Sequence, residues 1–305
     1  MTLAQYLSEW IALRAPSLAP RTVECYQSLL RLHIVPTIGA VPLRSLSASS
    51  ISSVLSSLIA AGHSRTAQLV FVLLRASLRS AVACGLLKRS PMEKIMPPRH
   101  RRSQPRWWSP DELRQFIVST KDSPYHVAWQ LALCCGLRRG ELAGLRWIDV
   151  DRNLCVLHIR NQRQPISGVG VIDAAPKSES GIRDIPLPPS LMVLLEQHQA
   201  AQTAIAAINN SPSPKYIVSR DGRPINPHRL NHALSLDIER AGVRPINLHG
   251  LRHSMATLAV SLGVSMRVLQ SILGHSSYTT TANIYTHVLH SDQAAAIDKI
   301  SQNMV

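Results

Sequence analysis

Apolar and polar positions alternate with a helical period over residues 1–90. In "MTLAQYLSEWIALR", Leu3, Tyr6, Leu7, Trp10 and Ile11 recur at three- and four-residue steps around Glu9. That pattern predicts an amphipathic helix and not a cleaved leader. "LAPRTVECYQSLLRLHI" predicts a second helix, entered at Pro20 and Arg21. "SASSISSVLSSLIAAG" predicts a third, with Ile51, Val54, Leu55, Leu58 and Ile59 on one stripe and Gly62 as its stop. "SRTAQLVFVLLRASLRSAVACG" predicts a fourth, ended by Gly85, with Arg65, Arg75 and Arg79 on its outer face.

The pattern then breaks. "PMEKIMPPRHRRSQPRWWSP" (91–110) holds five prolines together with Lys94, Arg99, Arg101, Arg102 and Arg106, so it reads as an extended, solvated linker. "SPDE" closes it as a capping box, with Ser109 as N-cap, Pro110 at the first helical position and Glu112 at the third. Helices follow to about residue 146. "LCVLHI", "GVGVID" and "RDIPL" then read as strands of one small sheet, and from Pro227 the chain returns to helices. The expected class is mainly α with a small antiparallel sheet in the second domain. The expected organisation is a helical domain over 1–90, a basic linker over 91–108 and a second domain over 109–305.

Charge narrows the partner. The 305 residues carry 33 Lys and Arg against 18 Asp and Glu, for a net charge of +15. Most of the cations are arginine, whose planar fork grips phosphate in a two-pronged way. A polyanion follows, and nucleic acid fits better than a membrane surface. No unbroken apolar run of bilayer length occurs. The five cysteines, Cys25, Cys84, Cys134, Cys135 and Cys155, show no CxxC pair. They are expected as reduced thiols, mostly buried in apolar helices, in a cytoplasmic protein.

The distribution of carboxylates excludes one chemistry. From Ala241 to Ser291 there is no Asp or Glu, although His249, Arg252, His253, His275, Tyr278 and Tyr285 fall inside this stretch. Two-metal phosphodiester cleavage needs carboxylates to hold its cations, so a metal site centred here is not expected. "LHGLRH" (248–253) puts His249 and Arg252 three apart on one helical face. "GLRRGELAGLRW" (136–147) puts Arg138 after a glycine break, and "APKSESGIRDIPL" (175–187) puts Lys177 in a polar turn. Each motif alone is equally a solvated surface feature.

The ordered set "GLRRGEL", "PKSESGIRDIPL", "LHGLRH", "LGHSS" and "IYTHV" resembles the tyrosine recombinase (phage integrase) family along essentially the whole chain. The resemblance implies a two-domain C-shaped DNA clamp whose first domain is the helical core-binding domain. It implies a catalytic set of Arg138, Lys177, His249, Arg252, His275 and Tyr285, with Glu141 supporting the site structurally. Tyr285 matches the family's nucleophile because "THV" follows it, whereas Tyr278 sits where relatives vary. The implied reaction is attack of the Tyr285 phenol on a DNA phosphodiester, giving a 3′-phosphotyrosine and a free 5′-hydroxyl without metal, cofactor or ATP. His249 serves proton transfer, His275 donates to a non-bridging oxygen, and Lys177 protonates the departing 5′-oxygen.

The expected partner is double-stranded DNA with specific target sites, with assembly to a tetramer on DNA and an accessory directionality factor possible. Arg21, Arg65, Arg75, Arg79, Arg99, Arg101, Arg102, Arg106, His228, Arg229 and Asn231 are candidate DNA contacts, with solvated helix surface as the competing reading. The short lead into the first helix leads us to expect no further arm-site domain. The tail "HSDQAAAIDKISQNMV" reads as a helix docking on a neighbouring subunit or on its own domain. Two alternatives stand beside this one. One is a type IB topoisomerase-like DNA-relaxing enzyme. The other is a non-catalytic regulator, suggested by the helix-turn-helix look of "ATLAVSLGVSMRVLQSILG" around Gly263.

Overall fold

The stripe Leu3, Tyr6, Leu7, Trp10 and Ile11 is buried along α1 (Leu3–Arg14), which Thr2 and Gln5 close with a reciprocal capping box. The computed structural model describes residues 1–99, 106–166, 168–176, 178–220 and 222–274. By its internal contacts the chain divides into two compact units, Met1–Ser103 and Gln104–Val305.

In the first unit, α2 (Pro20–Leu29) does not continue as the single expected helix. It passes through a π-helical turn, Leu30–Ile34, into the short α3 (Val35–Ile38). Pro36 lies in α3 and has no N–H to give to the turn before it, which is where the ladder widens. The helix α4 (Ala48–Ala60) buries Ile51, Val54 and Leu55, while Ile59, on its last turn at the edge of the stripe, remains 44% exposed and does not join the core.

The helix α5 (Ser64–Ala83) is long and apolar enough, by length and composition, to cross a membrane. It instead buries Ala67, Val70, Phe71, Leu73, Leu74, Leu78 and Ala81 in the core of its own unit and leaves Arg65, Arg75 and Arg79 exposed. Amphipathicity, not total hydropathy, decides its place. Met92 also enters this core, although it falls inside the stretch 91–108.

The second unit begins where Trp108, also inside that stretch, is 2% exposed against Phe116, with ring centroids 4.7 Å apart. Ser109 caps α6 (Pro110–Ser119) and Glu112 returns the bond to the Ser109 N–H at 2.8 Å, as the sequence predicts. Glu112 also takes both Arg244 Nε and Nη2 at 2.6 Å, and this pairing holds its pKa at about 2. Next come α7 (His126–Cys135) and α8 (Arg139–Gly144).

The strands β1 (Val150–Asp151), β2 (Val156–Ile159), β3 (Gln162–Ile166), β4 (Gly170–Ala174) and β5 (Arg183–Pro186) follow. They do not form the one small sheet expected. Strands β1, β2 and β5 make a three-stranded antiparallel sheet, and among the described residues β3 pairs only with β4. The polar sequence "QRQPI" of β3 hid it from a hydrophobic reading, and its Pro165 is tolerated because a two-stranded ribbon has free edges.

After α9 (Pro189–Ile208), a helix the periodicity reading passed over, comes the small hairpin of β6 (Ser219–Arg220) and β7 (Arg223–Pro224). The described chain ends with α10 (Pro227–Ala241), α11 (Leu248–Ser261) and α12 (Met266–Leu273). The architecture is thus mainly helical with small antiparallel sheets, as expected.

The cysteines correct the expectation of burial. Only Cys135 is buried; Cys84, Cys134 and Cys155 are exposed and Cys25 is intermediate. Cys155 has φ 51° in the turn before β2, outside the strand to which "LCVLHI" would assign it.

Candidate active site

The site is assembled around one buried carboxylate. Gly136 ends α7 in the left-handed region at φ 59°, which lets the chain turn sharply into α8. Arg138 stands at the N-cap of α8, with its N–H 2.9 Å from Glu141 Oε2 and its Nη1 2.6 Å from Oε1. Glu141 is only 1% exposed. On the other side Arg183 of β5 lies across from Ile159, on the same inward face as Ile185. It gives Nη1 to Oε1 at 3.1 Å and Nη2 to Oε2 at 2.9 Å.

Burial pushes the Glu141 carboxyl upward, but the hydrogen bonds and charge of Arg183, joined by Arg138, outweigh it and hold the pKa at about 2. A buried carboxylate persists only when its lone pairs are satisfied in this way.

The same arginines hold the end of α12. A helix C-terminus leaves its last carbonyls without intrahelical partners and carries partial negative charge. Here three consecutive carbonyls meet three different guanidiniums. Arg183 Nε donates to Ile272 O at 2.6 Å, Arg252 Nη2 donates to Leu273 O, and Arg138 Nη2 donates to Gly274 O at 2.7 Å. Gly274 itself has φ 61°, and a Cβ there would stand 2.6 Å from Ser180 O and 3.1 Å from Arg183 Cδ. No side chain fits that position.

The helix α11 completes the described part. Asn247 caps it by accepting the Gly250 N–H at 2.9 Å. Arg252 is 2% exposed and gives Nη1 to Gly136 O at 2.5 Å, tying the α7 break to α11. His249 keeps an exposed edge. Burial of the rest of the ring and the nearby cations of Arg252 and Arg138 hold its pKa below the ordinary imidazole value, so the ring is neutral near pH 7. His253 is buried and meets His249 edge-on, with centroids 4.4 Å apart. Burial, then His249 and Arg252, push its pKa down to about 4.

Four of the residues singled out from the sequence are therefore brought together: Arg138, Glu141, His249 and Arg252. Lys177, His275, Tyr278 and Tyr285 lie outside the described residues, as do Arg101, Arg102 and the tail. Lys177 falls in the connection from β4 to β5, and His275 directly follows the clamped Gly274 in sequence. Sequence reasoning missed Arg183 and Gly274, and it noted His253 without giving it a role. A signal for Arg183 existed: it occupies an inward position of "RDIPL", where an arginine must find a buried partner.

The remaining candidates lie on the outside of their units. Arg21 is exposed and paired with Glu24 at 2.7 Å. Arg65 bonds Gln68, Arg75 lies over the Phe71 ring, and Arg79, Arg99 and Arg106 are exposed. On α10, His228 and Arg229 are exposed and Asn231 is half-buried. Their preceding residue Asn226 caps the helix through the His228 N–H at 2.9 Å. The first unit also has a cavity of about 680 Å³ lined by Arg44, Lys88, Arg89 and Lys94 together with Glu93.

Comparison with known proteins bears on this geometry. The model of the phage integrase family matches residues 106–292, and that of the phage integrase central domain matches residues 3–97. A tyrosine recombinase XerC-like protein of Caldanaerobacter subterraneus is 27% identical over 64% of this chain. The chain spans 53% of the length of that relative. The integrase of transposon Tn1549, solved in complex with transposon right end DNA, superposes with a TM-score of 0.80 at 21% identity, covering 99% of this chain and 100% of that one. A lambda integrase tetramer bound to a Holliday junction gives a TM-score of 0.72 at 19% identity, covering 93% of this chain and 77% of that one. At such identities these two share the fold.

Proposed function

The chain belongs to the phage integrase family, and from that premise we propose that it is a site-specific DNA recombinase working through a tyrosine–DNA ester. The observation that carries the reading is that Arg138, paired with Glu141, and Arg252 donate to the adjacent carbonyls of Gly274 and Leu273, directly ahead of His275 in the chain, with His249 close to both cations. In this reading the Tyr285 phenol oxygen attacks phosphorus, the bond to the 5′-oxygen breaks, and a 3′-phosphotyrosine forms. A phenol of pKa ~10 is ~3 units above neutral pH, so full prior ionisation would cost ~4 kcal/mol. His249, neutral near pH 7, takes the proton as attack proceeds. Lys177 gives a proton to the departing 5′-oxygen, which leaves as a hydroxyl.

Charge developing on the phosphorane is met by Arg138, Arg252 and His275. The ester conserves the energy of the broken bond, so a 5′-hydroxyl from another strand reverses the step without ATP. Cationic catalysis in place of metal is supported by the absence of Asp and Glu between Ala241 and Ser291. It is supported further by Glu141, both of whose oxygens are taken by arginine donors.

The partner is double-stranded DNA bearing specific sites. The exposed Arg65, Arg75 and Arg79 of α5 and Arg229 of α10 supply phosphate contacts, with salt-dependent affinity. Strand exchange between two duplexes requires four such sites, and the tetrameric assembly of the lambda integrase relative supports that arrangement here.

The test uses nicked duplexes tiled across the DNA flanking the gene's own locus, incubated with the chain in EDTA and without ATP. A covalent protein–DNA band with the wild type and none with Tyr285→Phe supports the reading. Tight binding with no covalent band on any tile would leave a DNA-binding regulator instead. Relaxation of supercoils without exchange between two duplexes would leave a topoisomerase-like enzyme.

A further inference from the structure

Arg183 has no part in the reaction as set out above, yet it is the most connected buried cation among the described hydrogen bonds of the site. It is 8% exposed and spends donors on four acceptors. Two are the oxygens of Glu141, the third is Ile272 O, and the fourth is Gly181 O at 3.0 Å. These acceptors belong to three separate pieces of chain. Glu141 carries Arg138 by two bonds of its own. Gly181 ends the short helical turn Glu179–Gly181 that follows Lys177 in sequence, and it packs so tightly on Pro176 that a Cβ would stand 2.6 Å from Pro176 Cβ. Ile272 opens the run of three clamped carbonyls that ends one residue before His275.

We propose that Arg183 is a positioning residue for the reaction. It locks the start of α8, which carries Arg138, the turn Glu179–Gly181 and the end of α12 into one register. The inference rests on the recombinase reading. A lysine cannot replace it, because one ammonium at the end of a flexible stem does not span a carboxylate and two carbonyls in fixed directions. Arg183 sits inside the junction, behind Glu141, so its role is exerted through its neighbours and not on the DNA.

Removal of Arg183 also has an electrostatic consequence that a merely structural residue would not show. Among the described residues, the charged groups facing Glu141 are Arg138 at the start of its own helix and Arg183 of β5. With Arg183 gone, burial is opposed, among the described residues, by Arg138, and the Glu141 pKa rises from about 2. Protonated Glu141 holds Arg138 less firmly, so cleavage acquires a limb that rises with pH.

The full-length chain is compared with Arg183→Lys, Arg183→Met and the double variant Arg183→Met/Glu141→Gln, on whichever nicked tile the wild type cleaves. Binding, melting and the rate of covalent adduct formation at saturating DNA are measured from acid to neutral pH. We expect Arg183→Lys to bind within about twofold of wild type yet cleave roughly 100-fold more slowly, the loss expected when reacting groups shift by about 1 Å. Arg183→Met gains the pH limb, and Glu141→Gln removes it while also relieving the unpaired buried charge that threatens folding. Wild-type cleavage rates in Arg183→Lys and the double variant overturn the proposal. So does loss of the folded state in all three variants, which would make Arg183 scaffold alone. If the wild type itself cleaves no tile, the recombinase reading fails first and this inference with it.

Discussion

The two units bury different things. Among the described residues of Met1–Ser103, Ser77 is the one buried polar side chain, and every cation considered there for DNA is on the surface. In Gln104–Val305 the buried set includes Glu141, Asp149, Arg183, Asp237, Arg252 and His253. Apolar packing suffices for the first unit, whose described cations all stay at the surface. The second unit buries charge, and burial is tolerable only when each group has partners. The Glu141 cluster is the clearest case; Asp237, which accepts Ser123 Oγ at 2.6 Å and Trp129 Nε1 at 2.7 Å, shows the same device used for the scaffold.

This contrast can be broken by substitutions that ask where charge matters by geometry. The largest effect is expected at Arg252→Lys, which keeps the charge but loses the fork joining Gly136 O and Leu273 O. Adduct formation should slow by roughly 100- to 1000-fold, the range for removal of one preorganised donor. The matching Arg75→Lys on α5 should leave it within about twofold, because the role proposed for this exposed residue is in binding, which saturating DNA takes out of the rate. Equal losses from the two lysines, in a single-turnover assay at saturating DNA, would erase the distinction.

Stability sharpens the same point. Glu141→Ala leaves Arg183 buried without its carboxylate and should cost ~3–5 kcal/mol, as for a broken buried pair. Leu74→Ala in the first unit should cost ~2–5 kcal/mol from its cavity. Similar in size, the two differ in pH dependence. The folded-state pKa of Glu141 is lowered to about 2 from an ordinary 4.5. Its contribution, about 3 kcal/mol, is therefore complete above pH 4.5 and lost as pH falls toward 2. Denaturant melts of wild type and Glu141→Gln should converge as the pH is lowered, whereas the Leu74→Ala deficit should persist.

The smallest effect is expected on the outer face of α5. Arg75→Ala combined with Arg79→Ala should flatten the dependence of log affinity on log salt by ~0.9 for each phosphate that is no longer neutralised. Cleavage of saturated DNA should not change. An unaltered salt slope in a filter-binding titration would remove α5 from the DNA-facing surface.

The same contrast governs what the sequence reveals. The stripe of α1 and the Ser109 capping box are legible because partners stand three or four residues apart and their residue types are restricted. Arg138, Glu141, His249 and Arg252 could be singled out by motif, but nothing local tells that Arg183 reaches Glu141 across 42 residues or that Arg138 reaches Gly274 across 136. The polar strand β3 was invisible for a related reason: its pairing with β4, not an apolar face, makes it a strand. Gly274 reads as an ordinary helix stop until the Ser180 carbonyl is seen where its side chain would be.

The central claim is that Arg138, His249 and Arg252 serve one tyrosine, Tyr285. The most direct measurement is to trap the chain on a nicked duplex, digest the adduct with protease and nuclease, and sequence the nucleotide-bearing peptide by mass spectrometry. The account predicts the nucleotide on Tyr285 as a tyrosine phosphodiester, in the wild type and in Tyr278→Phe alike. A nucleotide mapped to Tyr278 or to any other side chain would contradict it.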